Sequence, residues 1–343
     1  MEPKIEQLIL HKVGNKLNDD KIIFSKSEMD INDNSKTLLN RYFISSIKKD
    51  EYYTFYHESE ISLNEVYTYV SRIFNSKDCF FNDSINIAKH LYQKSEHPKI
   101  KEGDLYVVYF SNIQIEDKVV DAIGIFKSEN KETFIKVENI FNRFEVNFEL
   151  GANINKLDKG CIIYNIEKEN GFLVSLIDNL SKTGSEARYW KDDFLYVKPR
   201  KDEYYNTQHL LSLCKNFVTK EMPQQFDVSR ADQVDLLNKS VQFFKENENF
   251  ELANFTNEVI GQPELIESFN QYKTAFQKER EIAISDSFSI SESAVKKQAR
   301  SIKSIIKLDK NFHIYVHGSR ELIEQGVDEG GRKFYKIYYS EEY

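Results

Sequence analysis

Apolar residues recur along this chain with two different periods. Ile5 to Val13 and Lys21 to Ser25 are rich in β-formers, and the turn signal Asn18-Asp19-Asp20 between them predicts a hairpin. Helical spacing follows in three segments. Leu38, Leu39, Tyr42, Phe43 and Ile47 mark a helix over Ser35–Lys48. Val66, Tyr67, Val70 and Phe74 mark a second over Asn64–Phe74, and Ile85, Ala88, Leu91 and Tyr92 a third over Ser84–Tyr92. The pattern then turns to short β-like runs at Leu105–Ile115, Val119–Phe126, Thr133–Val137, Gly160–Ile166 and Gly171–Ile177, separated by polar turns. Such spacing predicts an antiparallel meander.

Past Pro199-Arg200-Lys201 helical periodicity takes over, first from His209 to Val218. A longer stripe joins Val228, Ala231, Val234, Leu237, Val241 and Phe244. Pro263 suits the first turn of the next helix, ahead of Leu265, Phe269, Tyr272 and Phe276. Ser289 with Glu292 resembles a capping box before Ala294–Arg300. The chain ends in β-like runs, Phe312–Val316 and Arg332–Tyr339, with Asp328-Glu329-Gly330-Gly331 as a tight-turn signal. The expectation is an α+β protein of two domains. Residues 1–200 would form an N-terminal domain on an antiparallel sheet with flanking helices. Residues 201–343 would form a mainly helical C-terminal domain ending in a β-hairpin.

Composition supports a packed protein: 40% of the 343 residues are hydrophobic and 13% aromatic, too many for a disordered solvating chain. No run approaches the roughly 18 apolar residues of a membrane span, and the N-terminal MEPKIEQLILHKV reads as neither a signal peptide nor an anchor. Cys79, Cys161 and Cys214 are odd in number and lack CxxC spacing, which disfavours a disulfide framework or structural zinc and suits a reducing compartment. A cytoplasmic location is expected, with no membrane partner. The net charge of −8 means that any polyanion must be met by a local patch against the repulsion of the rest.

Signatures of common chemistry are scarce. The twelve Gly form no GxxxxGK[ST], GxGxxG or GxSxG motif. His313 and His317 share a strand face in HIYVH but stand about 13 Å apart along it, too far to share a metal directly. Asp104 with Glu116-Asp117-Lys118 loosely matches the D…ExK metal core of restriction-type nucleases. An extended strand, however, would hold Asp104 and Glu116 more than about 30 Å apart, and acidic residues with Lys are ordinary turn residues. No catalytic centre, metal or cofactor is therefore expected, and a metal-dependent nuclease is the third-ranked reading.

Cations cluster more suggestively. Lys296, Lys297, Arg300, Lys303, Lys307 and Lys310 are opposed by Asp309 alone between Ala294 and Asn311. In one continuous helix Lys296, Arg300, Lys303 and Lys307 would form a stripe. If the helix stops near Arg300, Ile302–Leu308 becomes a strand with Lys303 and Lys307 on a shared face. The plain alternative is a solvated face in a Lys-rich chain. A second stretch, residues 182–201, interleaves Lys182, Arg188, Lys191, Lys198, Arg200 and Lys201 with Tyr189, Trp190 and Tyr196, as a nucleic-acid surface would. Trp190 and Phe194 equally suit core anchors at helical spacing.

Several segments together resemble the thirty-seven-kilodalton nucleoid-associated protein family of bacteria. They are IEQLILHKV (5–13), GDLYVVYFSNI (103–113), VVDAIGIFK (119–127), LDKGCIIYN (157–165), SEARYWKDDFL (185–195), SIIKLDKNFHIYVHG (304–318) and DEGGRKFYKIYY (328–339). Their order spans essentially the whole chain. The resemblance implies a non-enzymatic protein of the cytoplasm and nucleoid that binds DNA. It transfers no contact residue, so the DNA-binding set, Lys296, Lys297, Arg300, Lys303, Lys307, Arg188 and Lys191, rests on charge. Binding of low sequence specificity is the first reading, and an adaptor reaching the nucleoid through protein partners is the second. A homo-oligomer is compatible with either.

Overall fold

In the N-terminal part, near-continuous runs of β-branched and aromatic residues build a sheet that must be covered on both faces. The computed structural model describes residues 3–45, 47, 50–178, 189–302, 305–316 and 320–342. These divide into two compact units, Met1–Arg200 and Lys201–Tyr343. The first unit contains β1 (Lys4–Val13), β2 (Ile22–Ile23), β3 (Tyr52–Phe55), β4 (Gly103–Ile115) and β5 (Lys118–Ser128). It continues with β6 (Glu132–Ile140), β7 (Arg143–Gly151), β8 (Lys159–Tyr164), β9 (Leu173–Asp178) and β10 (Val197–Pro199). Eight of these pair, all antiparallel, in the order β10-β3-β9-β8-β5-β4-β1-β2. At the β8–β9 turn Gly171 has φ +93°, and a Cβ there would sit 2.2 Å from the Phe55 carbonyl oxygen. Only glycine fits this approach.

Helices cover both faces. α1 (Asp33–Ile44) begins at Asn32, whose side chain accepts from the Ser35 N–H, and presents Tyr42 and Phe43 to one face. Phe43 stacks on Phe126 of β5 with ring centroids 4.4 Å apart. The opposite face packs α2 (Glu65–Asn75) and α3 (Phe80–Lys94) through Val66, Val70, Ile73, Ile87 and Leu91. Asn64 caps α2 by accepting from the Tyr67 N–H at 3.0 Å, and its amide donates to the Leu195 carbonyl at 3.0 Å. One residue therefore starts the helix and ties it to the chain before β10. Between β1 and α3, buried His11 accepts from the Ser25 N–H at Nδ1 (3.1 Å), which leaves Nε2–H facing Ser84 Oγ at 3.0 Å.

The predicted hairpin β1–β2, the helices α1 to α3 and the strands β4, β5, β8 and β9 are present. The meander needs one correction. Thr133–Val137 lies in β6, which leaves the main sheet and, among the described residues, pairs only with β7, a strand the sequence pattern does not reveal. The meander thus runs β4-β5-β8-β9, with β6–β7 inserted as a separate ribbon. Strand β3, between β10 and β9, also escapes the sequence pattern, being four residues long with partners far away in sequence.

The second unit is built on helices Glu203–Asn216, Arg230–Glu246 and Pro263–Glu279, with Pro263 in the first turn as expected. Leu210, Leu213, Phe217, Phe244, Phe250 and Phe269 centre its main apolar cluster. Three two-stranded ribbons complete it: β11 (Asn249–Glu251) with β12 (Ser287–Ser289), β13 (Ile305–Leu308) with β14 (Phe312–Tyr315), and β15 (Ile323–Val327) with β16 (Lys333–Ile337). Ser289 is therefore a strand residue. The cap of the helix Glu292–Ala299 is Ser291, which accepts from the Ala294 N–H.

Phe43→Ala should destabilise the protein by about 3–5 kcal/mol, because it empties a buried aromatic position against Phe126. Urea unfolding followed at the sheet's far-ultraviolet signal measures it. Burial pushes the His11 pKa from 6.5 down to about 4. The unfolded chain then takes up the proton first as pH falls. The stabilisation is complete above about pH 6.5 and is lost towards about pH 4, an effect on the order of 3 kcal/mol. In His11→Gln the component of the stability–pH slope due to this group should vanish across that window, and parallel curves for the two proteins would refute the assignment.

Candidate nucleic-acid interface

The helix Glu292–Ala299 buries Ala294 and Val295, which directs Lys296 and Arg300, four residues apart, to the exposed side. Both stand at its C-terminal end, where the helix dipole favours cations. Lys296 is 3.1 Å from Glu292, but both side chains are largely exposed, so this pair holds the cation only weakly. Lys297 turns towards the helix Glu203–Asn216 instead: its Nζ donates to the Tyr204 hydroxyl at 2.8 Å and lies 5.4 Å from the ring centroid.

The continuous cationic stripe does not form, because the helix ends at Ala299 and β13 begins at Ile305. Lys303 lies outside the described residues. Ile305 and Ile306 are buried, whereas Lys307 is exposed and pairs across the ribbon with exposed His313. Neither Arg300 nor Lys307 has an ion-pair partner among the described residues. Tyr315, 63% exposed, stands two residues from His313 on the same ribbon face. A cation, an imidazole and a phenol thus share one accessible surface, suited to phosphate contact beside stacking. A search for clustered cations misses Tyr315, although the alternation in HIYVH carries the signal.

The second basic stretch is largely occupied in its own unit. Arg188 lies outside the described residues. Half-buried Lys191 sits 5.2 Å from the Tyr53 ring centroid and 3.9 Å from Asp192. Tyr189, Trp190 and Phe194 are buried, and the Trp190 indole donates to the Gly160 carbonyl at 3.3 Å. They are core anchors, so these three aromatics offer no stacking platform. Arg200 is held by Glu116 (2.9 Å) and Glu167 (2.7 Å).

The D…ExK residues stay apart. Asp104 opens β4 and pairs with Lys131 at 3.1 Å, while Glu116 follows the far end of the same strand and pairs with Arg200. Among the described residues, no group of three or more His, Cys, Asp or Glu could hold a metal ion. The most strongly buried charges lie elsewhere, at the root of β6–β7. There Asp158 accepts from the N–H groups of Glu129 (2.7 Å) and Asn130 (2.8 Å) and from the Asn130 side chain. Lys127, fully buried, pairs with Glu129 at 3.0 Å and donates to the Lys101 carbonyl. Burial lowers the Lys127 pKa while Glu129 opposes that shift. Glu129 also accepts from the Tyr189 hydroxyl at 3.1 Å, and together these bonds clamp the chain where the ribbon leaves the sheet.

No helix among the described residues is long and apolar enough to cross a membrane. Comparison with curated proteins finds no match. A family model described as nucleoid-associated protein YejK matches residues 9–330, from within β1 to the turn before β16. With that match extending through both units, the chain belongs to the YejK family of nucleoid-associated proteins.

Proposed function

We propose that this protein associates with the nucleoid by binding DNA with low sequence specificity, chiefly through the phosphate backbone. It does so as a non-enzymatic protein of the cytoplasm. The contact residues are Lys296, Lys297, Arg300, Lys303 and Lys307, joined by His313 and Tyr315; Arg188 and Lys191 are secondary. Family membership supports the nucleoid role. The observation that carries the DNA reading is the segregation of charge in the C-terminal unit. Residues 202–292 hold sixteen acidic against eight basic side chains, whereas 294–311 hold six basic against one acidic. Lys296, Arg300 and Lys307 of that short segment are exposed. A chain of net charge −8 gains no long-range attraction to DNA, so binding depends on such local contacts. The same net charge keeps a second reading in play, an adaptor that reaches the nucleoid through a protein partner.

Duplex DNA titrated at several salt concentrations tests both readings. Reversing Lys296, Arg300 and Lys307 to Glu should weaken binding strongly and reduce the slope of log K against log salt by roughly 0.9 for each phosphate left without its cation. Reversing the dispersed Lys26, Lys131 and Lys239 changes the net charge identically and should do less. A folded triple variant with unchanged affinity and slope would remove this site. Absence of DNA binding by the native protein near physiological salt would favour the adaptor.

Plasmid DNA incubated with the protein and Mg²⁺ or Mn²⁺ should remain supercoiled. Cleavage that disappears in Asp104→Ala and Glu116→Ala would overturn the non-enzymatic reading.

A further inference from the structure

The β6–β7 ribbon separates its side chains by chemistry. Cross-strand partners share a face, so the register places Ile135 with Phe148, Val137 with Val146, Asn139 with Phe144 and Thr133 with Leu150 on one side. That face carries no charge. Its six large apolar side chains range from 56% (Val146) to 73% (Phe144) exposed, and Phe141 at the tip is fully exposed. The other face holds Lys136 between Glu138 (2.9 Å) and Glu149 (3.4 Å), with Arg143 and Glu145, and with Phe134 and Ile140 less exposed among them. All the ribbon's charges therefore lie on one mixed face, and the other face is uncharged and mainly apolar.

We propose that this uncharged face is a self-association surface, on which the same face of a second copy of the chain docks about a two-fold axis. At about 200 Å² for a fully exposed Phe and less for each aliphatic side chain, it offers roughly 700 Å², close to the ~800 Å² each partner contributes to a standard interface. Patches of this size on soluble proteins mark interaction sites. An isolated two-stranded ribbon is also at best marginally stable in water, so a cover over its apolar side is needed to hold it folded.

The chemistry selects a second copy as that cover. Copies of a chain with net charge −8 repel one another, and contact is least opposed where the facing surfaces carry no charge. A two-fold contact sets the same patch against itself, which an uncharged apolar face tolerates without like-charge pairs. DNA is not its partner, since phosphate contacts require cations. At the ribbon's root the Asp158 clamp fixes the backbone of Glu129 and Asn130, so the arm leaves the sheet in a defined direction.

Light scattering and sedimentation of the full chain, from micromolar to hundred-micromolar concentration, test the proposal. The native protein should show a dimer of about twice 40.4 kDa. Ile135→Lys combined with Phe148→Glu puts a cross-strand ion pair on the apolar face, keeping strand pairing favourable, and should raise the dimer dissociation constant at least ten-fold. The milder Val137→Thr with Val146→Thr, which retains β-forming residues, should raise it less. Glu145→Lys on the charged face should leave it unchanged. Hydrogen exchange of residues 132–151 should slow as concentration rises through the transition. A native chain that stays monomeric throughout, or folded face variants with unchanged dimerisation, would overturn the proposal. So would exchange in the arm that is indifferent to concentration. If the monomeric chain were instead retained on phosphatidylcholine vesicles, the face would belong to lipid.

Discussion

The N-terminal unit depends on one constraint: β4, β5 and β8 carry apolar side chains at consecutive positions, so their sheet cannot leave either face in water. Val107 and Val108, Ile125 and Phe126, and Ile162 and Ile163 point to opposite sides and are all buried. One face takes α1 through Phe43, and the other takes α2, α3 and the Trp190 segment. His11 and Asn64 are polar residues that enter this interior with hydrogen-bond partners. His11 lies between Ser25 and Ser84, and Asn64 serves both a helix start and the Leu195 carbonyl.

The same constraint explains why aromatics and cations of residues 189–200 are poor candidates for nucleic-acid contact. A sheet covered twice needs large apolar anchors on each face, and Trp190 with Phe194 supplies them on one. Lys191 and Arg200 then pair with Tyr53, Glu116 and Glu167 around that packing. In the C-terminal unit the cations sit at a helix end and on a two-stranded ribbon, where little apolar surface competes for them. Lys297 is the exception, because Tyr204 lies within its reach.

The ribbon β6–β7 stands outside the sheet's logic. Its charges are confined to one face, where Phe134 and Ile140 sit among them, so the uncharged face is the one that most needs cover, whereas the sheet strands need two. Inserted between two central strands, it departs from a clamp of buried charges at Glu129, Lys127 and Asp158. Charge burial of this kind is tolerated when each ion is paired and hydrogen-bonded. A surface for polyanions and a surface for a second copy would then occupy separate units, with the net negative charge opposing both and leaving only local chemistry to decide contact.

Local pattern alone determined the elements whose code is short-range. Apolar periodicity located α1 to α3 and the helices of the C-terminal unit, consecutive apolar runs located β4, β5, β8 and β9, and the Asp328–Gly331 turn located the last hairpin. Tertiary structure decided what depends on distant partners. Thr133–Val137 reads like any sheet strand, yet pairing with β7 takes it out of the sheet. Strand β3 is specified by β9 and β10 more than by its own four residues. The stripe of cations failed as a stripe because the helix ends at Ala299, where burial of Ile302, Ile305 and Ile306 favours the strand that follows. Periodicity reports which residues avoid water, but the surface that covers them is supplied by residues far along the chain.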